Sequence, residues 1–120
     1  MNLAGKEVFD LIREKDRVFS LRTKETSYIF RVLPSGHLEN LHYGKPIREQ
    51  DYRALQMKRN AAVGGMVAYS SKDDLLYLDM LPLEYSFNGK GDYRLMPLEV
   101  EIPAGTYVGD FVYKEHAIVK

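Results

Sequence analysis

The sequence predicts an all-β, mainly antiparallel fold, a β-sandwich interrupted by one short helix or ordered loop. Three observations carry that expectation. Apolar and polar residues alternate over short segments, which is the period of a pleated strand and not of a helix. The segments are bounded by Gly, Pro, Asn and Asp, the residues that turn a chain. Nine tyrosines and five phenylalanines, with no tryptophan, supply aromatic side chains that pack well on pleated surfaces. Roughly seven to nine short strands without a repeated unit then favour two packed antiparallel sheets.

Taken in order, residues 7–13 admit either a helical turn or a first strand, because Val8, Leu11 and Ile12 fit a 3.6-residue stripe that Phe9 and Asp10 blur. Residues 1–16 are set apart as a lead-in and residues 17–120 as the sandwich domain. Val18, Phe19 and Leu21 begin the β pattern, and Tyr28, Phe30 and Val32 then fall on one face of a strand over residues 27–33. In Leu33-Pro34-Ser35-Gly36-His37 the proline presets φ and the glycine is free to take positive φ, so a hairpin turn is expected. Its return strand covers residues 37–43, with Leu41 and Tyr43 on one side, Leu38 on the other, and Gly44-Lys45-Pro46 at its end.

Residues 51–59 leave the β rhythm. Asp51 suits a helix N-cap, Tyr52 and Leu55 share a face, and Lys58 and Arg59 suit a helix C-terminal end. Residues 66–70 and 75–81 read as strands around a turn at residues 71–74, the second apolar on both faces and therefore buried. Residues 84–94 form a long polar and aromatic loop. Leu98-Glu99-Val100-Glu101-Ile102 alternates as a strand, Pro103-Ala104-Gly105 turns the chain, and residues 111–119 supply the last strand or two. That last strand is expected to run to Lys120, and the polypeptide to be one part of a longer protein.

Composition narrows the chemistry. Seventeen basic residues balance seventeen acidic ones, which leaves no electrostatic drive toward nucleic acid or an anionic membrane. The absence of cysteine fits a reducing compartment, and no apolar run approaches signal-peptide or membrane-span length, so a cytoplasmic protein is expected. His37, His42 and His116 have no metal-ligand spacing, and the chain lacks the GxSxG, GK[ST] and DxDxDG motifs. No metal, cofactor or catalytic residue is therefore assigned. Retaining glycosidases need two carboxyl groups roughly 5 Å apart. Asp73 and Asp74, adjacent in a turn, read as solvated caps. The most pointed segment is Leu83 to Arg94: Tyr85, Phe87 and Tyr93 offer faces for a sugar ring, and Asp92 and Arg94 offer charged hydrogen bonds to hydroxyls. The same residues equally suit a loop tied to itself or to another domain.

Three ordered stretches resemble the opening domain of bacterial glycoside hydrolase family 36 α-galactosidases. They are residues 19–33, residues 36–45, and Glu84-Tyr85-Ser86 followed by Gly91-Asp92-Tyr93-Arg94. The resemblance covers about residues 17–120 and implies a twisted, supersandwich-like β domain. It further implies a parent enzyme that hydrolyses terminal α-galactosides with retention, on a (β/α)8 barrel outside this chain. Members are commonly homotetramers in which a loop of this domain reaches a neighbouring active site. Met57-Lys58-Arg59-Asn60-Ala61 falls at that loop, keeping Arg59 and placing Lys58 where members carry an acid. The substrate-binding candidates are thus Arg59, Tyr85, Asp92, Tyr93 and Arg94. The barrel and further copies of the enzyme are the expected partners. A free-standing carbohydrate-binding module is the alternative.

Overall fold

The computed structural model describes residues 11–48, 52–57, 67–70 and 76–119. Their regular structure is a single antiparallel sheet of four strands in sequence order: β1 (Ile12–Lys15), β2 (Val18–Arg22), β3 (Ser27–Val32) and β4 (Leu38–Gly44). The all-β, antiparallel class is the predicted one. Among the described residues no helix exceeds a single 3-10 turn, and none is long and apolar enough to cross a membrane.

Each strand boundary has a local cause. Of residues 7–13, left open between helix and strand, residues 7–10 lie outside the described residues and the strand runs from Ile12, so the sheet begins inside the predicted lead-in. β1 and β2 meet at the two-residue turn Asp16-Arg17, with φ of 53° and 62°. Positive φ at both positions matches the right-handed strand twist, and Glu14 Oε1 accepts from the Arg17 backbone N–H at 2.8 Å. Between β2 and β3, the Thr23 hydroxyl accepts from the N–H of Glu25 and of Thr26, closing a side-chain-stabilised turn. The predicted β3–β4 hairpin is present. Gly36 takes φ 91°, and its N–H donates to Leu33 O at 2.8 Å.

The β2–β3 register places Phe19 against Phe30 and Leu21 against Tyr28, and the two phenylalanine rings stack with centroids 5.0 Å apart. This aromatic face is covered by the C-terminal segment. His116 meets Phe19 edge-on at 4.7 Å, and the Arg17 guanidinium lies 5.7 Å from the Tyr113 centroid. Ser27 and Ile29 point to the other face and are also buried, Ile29 completely. There the 3-10 turn Tyr52–Leu55 packs on β4, at the predicted helical excursion. A second apolar cluster of Leu33, Leu76, Leu78 and Leu81 lies under the hairpin turn, with Tyr69 and Leu83 against it.

Several expected strands take other forms. Leu76, Tyr77, Leu78 and Leu81 are buried as predicted, but the chain makes a 3-10 turn at Leu78–Met80 instead of a strand. Pro82 holds Leu81 extended and halts that turn. Residues 82–84 run beside β4, with Asn40 N–H donating to Pro82 O and Glu84 N–H donating to Leu38 O. Across residues 98–102 the only bridge joins Ile102 to Thr106, and residues 111–119 contain no strand. A strand exists only with a ladder partner, and among the described residues these alternating segments have none. Among the described residues, the antiparallel β architecture is therefore one sheet with irregular chain packed beside it. Of residues 66–70, Ser70 bridges Leu76; Met66 and residues 71–75 lie outside the described residues. Finally, Leu41 is an extra residue in β4, because Ile29 pairs with His42 and Phe30 with Asn40. This bulge re-aims the strand: Leu41 is buried while Tyr43, predicted on its side, is 74% exposed.

Candidate functional site

The loop of residues 84–95 is rooted on the sheet by Glu84. Its Oε1 accepts from the Asn40 side-chain amide at 2.8 Å. Burial, followed by the neighbouring Glu84 carboxylate, pushes the Tyr28 hydroxyl well above its ordinary value. Gly89 and Gly91, at φ 101° and 81°, then bring the chain back. A Cβ on Gly91 would lie 2.8 Å from Val67 O, so only glycine allows this approach.

Asp92 follows, and its side chain is almost fully buried. Arg94 grips it with both arms: Nε donates to Oδ1 at 2.8 Å and Nη2 to Oδ2 at 2.9 Å. Nη2 also donates to Leu78 O at 2.8 Å, Nη1 donates to Leu81 O, and the Arg94 backbone N–H donates to Asp92 Oδ1 at 3.2 Å. Burial opposes ionisation of Asp92, yet the Arg94 hydrogen bonds and charge outweigh it and hold the carboxyl below the usual 3.8. Four of the five guanidinium N–H groups are thus spent within the chain, on a carboxylate and on the carbonyls around the 3-10 turn. Tyr93 and Tyr85 remain 76% and 53% exposed. Tyr85 instead packs on Phe111, at 5.8 Å between centroids. The structure therefore brings Asp92 and Arg94 together as a clamp and leaves Tyr85 and Tyr93 outside it. Arg59 lies outside the described residues.

Two further polar groups have no local sequence signal. Glu39 is fully buried, paired with Arg31 Nε, and accepts the Met57 N–H at 3.1 Å, fixing residues 52–57 to β4. His37 is buried between Ser35 Oγ at 2.8 Å and Asp110 Oδ1 at 2.6 Å, while the Tyr69 hydroxyl donates to Asp110 Oδ2 at 2.7 Å. Nε2 faces the Asp110 carboxylate and Nδ1 the Ser35 hydroxyl, and the tautomer sets which atom of each pair donates. That order of groups also occurs in serine hydrolases. Here the imidazole is closed off and the Gly36 N–H is already given to Leu33 O, so the network pins the hairpin turn to residues 69 and 110. The hydrogen bond to Asp110, then burial, then the Asp110 charge push the Tyr69 hydroxyl up to about 12. A cleft of about 360 Å³ opens beside β4, lined by Leu38, Tyr85, Leu98, Phe111, Val112 and Tyr113. None of these six carries a charge that would orient a ligand.

Residues 36–120, most of the chain, match the family described as Glycosyl hydrolase family 36 N-terminal domain. The chain belongs to that family. It is similar to the bifunctional alpha-galactosidase/sucrose kinase AgaSK of Mediterraneibacter gnavus, 33% identical over 103 residues, or 85% of this chain and 11% of that protein. It is also similar to the alpha-galactosidase AgaA of Geobacillus stearothermophilus, 30% identical over 102 residues, or 85% of this chain and 14% of that one. Among solved structures, the family 36 alpha-galactosidase AgaB of Geobacillus stearothermophilus superposes with a TM-score of 0.72 at 27% identity, covering 88% of this chain and 14% of that chain. The chain thus spans only 11–14% of the length of these relatives. Glu84 roots the loop on the sheet, and the Asp92–Arg94 pair clamps it.

Proposed function

We propose that the chain is a non-catalytic N-terminal β domain of an α-galactosidase that hydrolyses terminal α-galactosides, of the melibiose and raffinose type, with retention. Family membership beside relatives that are themselves alpha-galactosidases carries this reading. The state of the internal carboxylates supports the non-catalytic part. Retaining hydrolysis uses one carboxyl as nucleophile and a second as acid and base, both open to substrate. Asp92 is locked by Arg94, Glu39 by Arg31 and Met57, and Asp110 by His37 and Tyr69. Bond cleavage then belongs to a (β/α)8 barrel elsewhere in the polypeptide. This domain packs against that barrel and helps assemble a cytoplasmic homotetramer, with Arg59 as the residue that lines a neighbouring subunit's substrate site.

The test is an assay with a chromogenic α-galactoside. The 120-residue chain gives no turnover, whereas the full polypeptide carrying it hydrolyses the substrate. Turnover by the 120-residue chain that disappears in Asp92→Asn would overturn the proposal.

A further inference from the structure

We infer that residues 91–95 are a docking knob, seated in an apolar pocket on the polypeptide that accompanies this domain in its enzyme, and not a platform for sugar. This rests on the proposed function. Side chains alternate along the knob: Asp92 turns inward into the Arg94 clamp, while Tyr93 is 76% and Leu95 97% exposed.

The knob is held in place before any partner arrives. Arg94 ties it to Leu78 and Leu81, the Ser86 hydroxyl donates to Leu95 O at 3.3 Å, and Gly91 sits directly on Val67. A surface ordered in advance loses little entropy on association.

Its chemistry separates the two kinds of occupant. A sugar site needs polar groups aimed at hydroxyls around its aromatic platform. Both Asp92 oxygens and four guanidinium N–H groups are already engaged within the loop. Leu95 adds only hydrocarbon. An exposed tyrosine beside an exposed leucine on a rigid support instead matches the anchors that fill pockets at protein interfaces. The similar enzymes supply the partner polypeptide, since this chain accounts for only 11–14% of their length. A second copy and a sugar are the rival occupants.

Hydroxyl-radical labelling of Tyr93 in the full polypeptide decides among them, measured with and without saturating galactose and at two protein concentrations. The expected result is labelling about tenfold slower than in the guanidinium-unfolded chain, independent of sugar and of concentration, as water exclusion at an interface centre requires. Labelling at the unfolded rate, protection that needs galactose, or protection that fades on dilution would each overturn the docking assignment. A hydrolysis assay on the same sample keeps the two readings apart. Inactivity with Tyr93 protected removes the galactosidase proposal alone, and activity with Tyr93 exposed removes the docking knob alone.

Discussion

At Asp92 a single carboxylate decides the shape of a loop. Burial raises the cost of its charge, and the Arg94 guanidinium more than repays it, so the folded carboxyl titrates below its ordinary value. The sign of the pH effect follows: the stability contributed by the clamp is complete above about pH 4 and is lost as pH falls through the lowered value. Arg94→Ala is expected to cost about 2–3 kcal/mol in urea unfolding at neutral pH, since charge-assisted bonds are lost from a partly exposed group. Asp92→Asn should flatten the acid limb of stability below pH 4. Tyr69 acts at the other end of the scale. Its hydroxyl is pushed up to about 12, so its stabilisation holds below the ordinary value near 10 and is lost as pH rises between the two. Tyr69→Phe is expected to remove part of the alkaline limb, with Tyr28, also raised, keeping the remainder.

Among the elements, the β3–β4 hairpin was legible because its causes are local, whereas the Asp16-Arg17 turn was not singled out. Alternation placed Tyr28 and Phe30 on one face, and Pro34 and Gly36 marked the turn. The bulge at Leu41 was not legible, since it depends on how β4 meets β3 and not on the composition of β4. The segment read over residues 75–81 is buried where described but is not a strand, because the distant Arg94 holds the Leu78 and Leu81 carbonyls and the adjacent Pro82 halts the turn. Two substitutions test these elements. Ile29→Ala, at a fully buried strand position, should cost about 3–5 kcal/mol in chemical unfolding. Gly91→Ala meets both positive φ and the Val67 carbonyl, and should cost about 2 kcal/mol or more. A loss below roughly 0.5 kcal/mol would mean that the loop does not pack on Val67 in solution.

At the scale of the molecule, the exposed apolar side chains of the described residues collect toward the C-terminal part of the sequence. Among the described residues, eleven of the seventeen exposed large hydrophobics lie in residues 93–119, the region where the predicted second sheet lacks ladder partners. The 120-residue chain is expected to self-associate or to have limited solubility in sedimentation measurements, as a contiguous apolar surface would require. Of the candidate site, Asp92 and Arg94 could be picked out from order and type alone. Their work as clamps could not, because Arg94 finds its carbonyl partners 13 and 16 residues away. By itself the sequence determined the all-β class, the hairpin at residues 33–37 and the family, all of which rest on neighbouring residues or on their order. Only the tertiary structure decided that Asp110 closes on His37 across 73 positions, that Glu39 holds Met57, and that residues 98–102 stay unladdered. Period and turn chemistry act over a few residues, whereas these outcomes depend on which distant donors and acceptors folding brings within about 3 Å of one another.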